Sequence, residues 1–178
     1  MKKNTLLLVI FVLLIFSVFL NYKLFVLNTY HRSLIPFLLK GERIKNFSLL
    51  DQNARFIEPF RLKKGISLVY IFLKDCSPCD KNIVYWRKIA KIFNQKISVI
   101  GVVLGTPTDA FNFAEKANLN FQIYVPDDLA KYTRDMRLMI NQSQTIVLQD
   151  GKVKMVKMGN MDGSIAIDLI NFIKGLLK

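Results

Sequence analysis

Residues 66–86 read ISLVYIFLKDCSPCDKNIVYW, and this stretch decides the fold. Ile66 to Leu73 is a continuous β-prone run without a charge, the pattern of a strand buried on both faces in a parallel sheet. A helix must follow it. Pro78 suits the first turn of that helix, where a missing N–H costs nothing. Ile83, Trp86, Ile89, Ala90 and Phe93 then recur at helical spacing opposite Lys81, Arg87, Lys88 and Lys91. Between strand and helix stand Cys76 and Cys79, the only two cysteines in 178 residues.

That position gives Cys76-Ser77-Pro78-Cys79 its chemistry. Free N–H groups and the dipole at a helix N-terminus stabilise a thiolate and lower the pKa of the first cysteine from about 8.5. Two intervening residues let the second thiol reach the first. The implied reaction is thiol–disulfide exchange, with Cys76 as nucleophile and Cys79 resolving the mixed disulfide. The alternatives are a zinc half-site or two inert buried cysteines. A structural zinc site wants four Cys or His ligands, and the only histidine, His31, is remote in sequence. No metal-binding or cofactor-binding residue is expected, since the redox-active pair itself carries the electrons.

Outward from this core, strand and helix signals alternate. Phe47–Leu50 and Ala54–Ile57, joined by polar Asp51–Asn53, read as a short hairpin. Downstream come a buried strand over Ile97–Leu104, a helix from Pro107 to about Asn118, a strand over Asn120–Val125 and a short helix from Asp127 to about Arg137. Thr145–Leu148 and Lys152–Met158 form a second hairpin around Asp150-Gly151, which supplies the positive φ of a tight turn. A terminal helix follows Asp162. The order β-β-β-α-β-α-β-α-β-β-α predicts an α/β class with a central mixed sheet, helices on both faces and an N-terminal β-hairpin.

The N-terminus differs in kind. Thr5 to Leu20 is a charge-free run of sixteen residues, flanked by Lys2, Lys3, Tyr22 and Lys23. A membrane span needs about 20 mainly apolar residues, and these flanks extend the run to that length by snorkelling and interfacial placement. The first alanine is Ala54, so no small-residue cleavage site follows the run, and an uncleaved anchor is expected over residues 1–23. Residues 24–40, broken by Asn28, His31, Arg32 and Pro36, read as an amphipathic stem, and residues 41–178 as one domain.

Composition bounds the partners. The net charge of +13 divides as +4 over residues 1–39, +8 over 40–96 and +1 over 97–178. The basic excess therefore lies in the anchor and in the half-domain that holds the cysteines. Charge alone does not choose a partner; the anchor and redox motif favour a membrane surface or an acidic protein over nucleic acid, with an ordinary solvated basic face as the alternative.

On the segments FSLLDQNARF (47–56), SLVYIFLKDCSPCDKNIVYW (67–86), ISVIGVVLG (97–105) and TIVLQDGKVKMVKMG (145–159), the chain resembles the thioredoxin superfamily. The likeness is to its membrane-anchored branch of TlpA- and ResA-like thiol-disulfide oxidoreductases, with a redoxin or AhpC/TSA-like domain. The resemblance implies a thioredoxin-like fold held by one helix in the cytoplasmic membrane, its domain facing the extracytoplasmic side. It also implies a reductive role in cytochrome c or other protein maturation, a protein disulfide as substrate, an upstream membrane thiol donor, and a monomer.

Several residues depart from that family. Lys74 and Asp75 precede Cys76 where an aromatic is usual, and their charges pull its pKa in opposite directions. Tyr70 stands at the strand position of a buried acid, and Asn82 where ResA-like proteins carry a glutamate. Asp80 reads as an ordinary first-turn acid. Ser143 falls where a cis-proline is expected, and a non-proline cis bond costs about 3 kcal/mol, so a trans bond or a rearranged loop is expected there. Two other functions share the fold. A peroxiredoxin-like peroxidase would want threonine at Leu73, and a copper-binding assembly module would want a histidine downstream of the cysteines.

Overall fold

The computed structural model describes residues 13–24, 38, 40–44, 48–51, 53–57, 65–73, 76–137 and 142–178, the side chains of Ile57, Ser77 and Pro78 excepted. The chain divides into two compact units, Met1–Pro36 and Phe37–Lys178.

In the first unit, residues 13–24 are helical (α1). Leu13, Leu14, Phe16, Val18 and Phe19 on this helix are all exposed, and the Asn21 side-chain amide donates back to the Ser17 carbonyl at 2.9 Å. Among the described residues no helix is long and apolar enough to cross a membrane. Residues 1–12 of the expected anchor lie outside the described residues, as does the expected stem from 25 to 37, with His31.

The second unit is built on a seven-stranded mixed sheet. Its strands are β1 (Leu49–Leu50), β2 (Phe56–Ile57), β3 (Ile66–Leu73), β4 (Ser98–Leu104), β5 (Gln122–Pro126), β6 (Gln144–Gln149) and β7 (Lys152–Met158), in spatial order β2-β1-β5-β4-β3-β6-β7. The helices are α2 (Ser77–Ile92), α3 (Pro107–Ala117), α4 (Leu129–Asp135) and α5 (Gly163–Leu176). The element order is the expected one, and β3 pairs parallel with β4 on one side and antiparallel with β6 on the other. The first hairpin is shorter than the sequence implies. Its two-residue strands cap the β5 edge of the sheet antiparallel.

β3 is central because both of its faces are apolar. Leu68, Tyr70 and Phe72 pack into one core with Trp86 and Ile89 of α2, its C-cap Phe93, Ala110 of α3, and Leu169 and Ile173 of α5. Val69 and Ile71 point into a second core with Tyr132 and Met136 at α4 and with Leu38 and Ile44. Helices therefore cover both faces. Each fully buried aliphatic or aromatic side chain contributes about 1.5–3 kcal/mol relative to exposure, and alternation within β3 divides that burial between two cores.

Local chemistry starts and stops these elements. Thr106 and Asp109 form a reciprocal capping box at α3, and Asn118 ends that helix in the left-handed region. Asp150 and Gly151 both take positive φ, 51° and 77°, in the turn between β6 and β7, as their sequence demands.

Candidate functional site

The cysteine motif sits where the buried strand hands over to the helix. Cys76 is the N-cap of α2, in extended conformation, and its sulfur accepts the Cys79 N–H at 3.2 Å. Pro78 lies within the first turn, Asp80 adds an acid there, and Lys91 a base in the last turn, all in the sense the helix dipole favours. Cys76 and Cys79 are joined by a disulfide, with Cα atoms 5.2 Å apart. Exposure separates the two sulfurs' residues. Cys76 is half-buried, whereas Cys79 is wholly buried in the core with Tyr70, Phe72 and Trp86. Of the two residues, Cys76 is the one that solvent reaches.

Farther along, α2 is held to the sheet through Trp86. Trp86 is fully buried; its indole N–H donates to Thr145 Oγ1 on β6 at 3.1 Å. Its ring meets Phe72 edge-on at 4.6 Å and lies 5.0 Å from Tyr70. Tyr70 is a buried phenol. Its hydroxyl has no hydrogen-bond partner among the described residues, and desolvation holds it protonated well above the ordinary tyrosine range. The residue at the expected acid position is thus a packing aromatic.

Ser143 and Asn82, two separate departures in the sequence, meet. Asn82 is 1% exposed; its Nδ2 donates to Ser143 Oγ at 3.1 Å and to the Gly159 carbonyl at 2.9 Å, while its Oδ1 accepts the Met161 N–H at 2.6 Å. The two main-chain partners fix which way the amide points, because a carbonyl can only accept and an N–H only donate. Ser143 Oγ also donates to the Gly159 carbonyl at 3.1 Å, and Gly159 N–H to the Ser143 carbonyl at 2.8 Å. No cis peptide bond occurs among the described residues, so the bond preceding Ser143 is trans.

The other supporting residues fare differently. Lys74 and Asp75 lie outside the described residues, and the Pro78 side chain is not described. Asp80 is exposed and pairs with Lys116 at 3.6 Å, a contact that screening by water makes weak. Gly159 and Met161 were not singled out by sequence. The available signal was Asn82 itself, a polar residue in the apolar seam Cys79, Asn82, Trp86, Ile89, Phe93, which marks a buried amide with partners of its own.

Known proteins share the sequence and the fold of this domain. The AhpC/TSA family model matches residues 40–156. The chain is 30% identical over 139 residues to the thiol-disulfide oxidoreductase ResA of Bacillus subtilis (strain 168), covering 76% of each protein. Among solved structures, one assigned as a thiol:disulfide interchange protein DsbE from Chlorobium tepidum superposes with a TM-score of 0.67 at 17% identity, covering 79% of this chain and 99% of that one. The thioredoxin domain of a thiol-disulfide oxidoreductase from Bacteroides vulgatus gives 0.66 at 19% identity, with the same coverage of 79% and 99%. At those identities the two structures speak for the thioredoxin-like fold alone.

Proposed function

This chain belongs to the AhpC/TSA family and is a thiol-disulfide oxidoreductase of the thioredoxin superfamily; from that premise we propose that it is membrane-anchored and reduces disulfides in extracytoplasmic proteins through Cys76 and Cys79. The observation that carries the site assignment is the exposure difference across one disulfide, half-buried Cys76 at the helix N-cap and wholly buried Cys79 behind it.

In the dithiol form, the Cys79 N–H and the helix dipole favour a Cys76 thiolate. That thiolate attacks one sulfur of the substrate disulfide, a mixed disulfide forms, and the other substrate sulfur leaves as a thiolate that takes up a proton. Cys79 then loses its proton and attacks the Cys76 sulfur, releasing the second substrate thiol and closing Cys76–Cys79. Two electrons pass to the substrate. An upstream membrane dithiol must return two electrons before the next cycle. No metal or cofactor enters this cycle, and the domain acts as a monomer.

The exposed apolar side chains of α1 and the charge-free run that contains most of it support the anchor over residues 1–23, with residues 24–40 as stem and 41–178 as the catalytic domain. The outer face of α2, with exposed Lys81, Arg87, Lys88 and Lys91, gives the cysteine helix a basic side toward a membrane surface or an acidic partner.

Direction is tested by the equilibrium of the Cys76–Cys79 pair against glutathione. Thioredoxin poises near about −270 mV and the strong oxidant DsbA near about −120 mV. A value at the thioredoxin end is expected, and one at the oxidant end overturns the reductive assignment. The same samples, assayed for reductant-coupled loss of hydrogen peroxide, should show none; stoichiometric loss would favour the peroxidase reading instead.

A further inference from the structure

We propose that Asn82 is a positioning residue for exchange: its uncharged amide locks the segment at Ser143 and the turn at Gly159–Met161 against the helix that carries both cysteines, and so fixes the wall along which a substrate polypeptide approaches Cys76. The inference rests on exchange at Cys76–Cys79, the function proposed above.

Three observations lead to it. Asn82 lies three residues after Cys79, one helical turn below it on the buried face of α2. Gln144 pairs with Ile71 in the antiparallel β3–β6 register, so Ser143, the residue before β6, sits at the end of β3 from which the chain runs to Cys76. The residues flanking the buried contact, Gln142 and Asn160, are exposed. A Cβ placed on Gly159 would lie 3.8 Å from Gln142 Oε1, so these two segments form one continuous rim. A polypeptide whose disulfide reaches Cys76 crosses this rim, and Asn82 is the side chain that joins it to α2.

The lock is neutral. From the β6 side, Gln142, Ser143, Gln144 and Thr145 bring no charge, on β3 the buried Tyr70 stays protonated, and the charged side chain on this sheet face is Lys157 of β7, paired with Thr145. On α2, Asp80 and Lys81 are exposed, and Asp162 beyond Met161 is exposed and committed to the N-terminus of α5. A carboxylate in place of the amide would set an oxygen against the Gly159 carbonyl, which Asn82 Nδ2 now approaches to 2.9 Å. Such a carboxyl could hold the contact only while protonated.

The test uses the full-length reduced protein with two probes, insulin as a polypeptide disulfide and oxidised glutathione as a small one. Asn82→Ala should lower kcat/KM for insulin about tenfold, through KM, because buried partners lose their bonds. Its rate with glutathione should stay within about twofold, since the thiol chemistry is untouched. Asn82→Asp should match wild type with insulin at pH 5 and fall behind it as pH rises through the carboxyl titration. Ser143→Ala, which removes only one hydroxyl, should shift KM for insulin about threefold in the same direction. It decides the question if Asn82→Ala does not fold. Folded variants with unchanged KM for insulin, or with equal losses on both probes, would overturn the positioning role. Wild-type protein inert toward both probes would instead overturn the function itself.

Discussion

Thr145→Val is the sharpest probe of how the cysteine helix is seated. The substitution keeps the β-branched shape of a residue paired across from Tyr70 on one side and Lys157 on the other, so strand geometry survives. What it removes is Oγ1, the acceptor of the Trp86 indole N–H at 3.1 Å. Trp86 is fully buried between Phe72 and Tyr70, and no water reaches the orphaned donor. A buried unsatisfied donor costs about 1–3 kcal/mol, offset in part by the extra methyl of valine. With a urea m-value of about 2 kcal/mol per M, a loss near 2 kcal/mol lowers the unfolding midpoint by about 1 M at unchanged slope. Trp86 is the only tryptophan in the chain, so its fluorescence reports the transition directly, with the disulfide kept oxidised in both proteins. In the Trp86→Phe background, where unfolding is followed by far-UV circular dichroism because the tryptophan is gone, the Thr145→Val step should lose most of its effect, since no indole N–H remains to be orphaned. A single variant with an unmoved midpoint would refute the claim that this bond anchors α2 to β6.

Two further outcomes follow from packing and capping. Gly101→Ala should destabilise by about 1–3 kcal/mol, because a Cβ there would come within 2.7 Å of Phe72 and 3.2 Å of Phe121, and a parallel urea titration checks it. Asp162 caps α5 by accepting the Ile165 N–H, and that bond with the Ser164 hydroxyl bond holds its carboxyl below the usual carboxylate range. A depressed folded pKa means its contribution is present above the unfolded pKa and disappears as pH falls through the folded one. Asp162→Ala should therefore lower Tm at pH 7 and make no further difference once the pH is below the carboxylate range, as melts across pH would show.

What could be read from the chain, and what could not, divides along contact range. β3, the cysteine turn and α2 were legible because their signals are local: a run apolar on both faces, a proline in the first turn, and a 3.6-residue repeat through Phe93. The second hairpin was legible from Asp150-Gly151 alone. β1 and β2 are shorter than their patterns suggest, since two residues of each pair with a neighbour while Ser48, Ala54 and Arg55 lie outside the strands. At the site, spacing and position singled out the cysteines. The Asn82–Ser143 bond joins residues 61 apart, and each looked in isolation like a defect in a pattern. Their meeting depends on the β3–β6 register, which local sequence does not encode. The absent acid at Tyr70 likewise reads differently once its ring is found packed at a tilt against Trp86 and Phe121.

The central claim is that Cys76 attacks and Cys79 resolves, and trapping tests it most directly. Replacing the resolving thiol by Cys79→Ser leaves the half-buried Cys76 at the N-cap with no intramolecular partner. Incubated with an oxidised polypeptide, this variant should accumulate a mixed disulfide through Cys76, seen as a covalent mass adduct that dithiothreitol reverses. The Cys76→Ser protein should form none. A folded Cys79→Ser protein that captures no partner, or a Cys76→Ser protein that captures one through Cys79, would contradict the account.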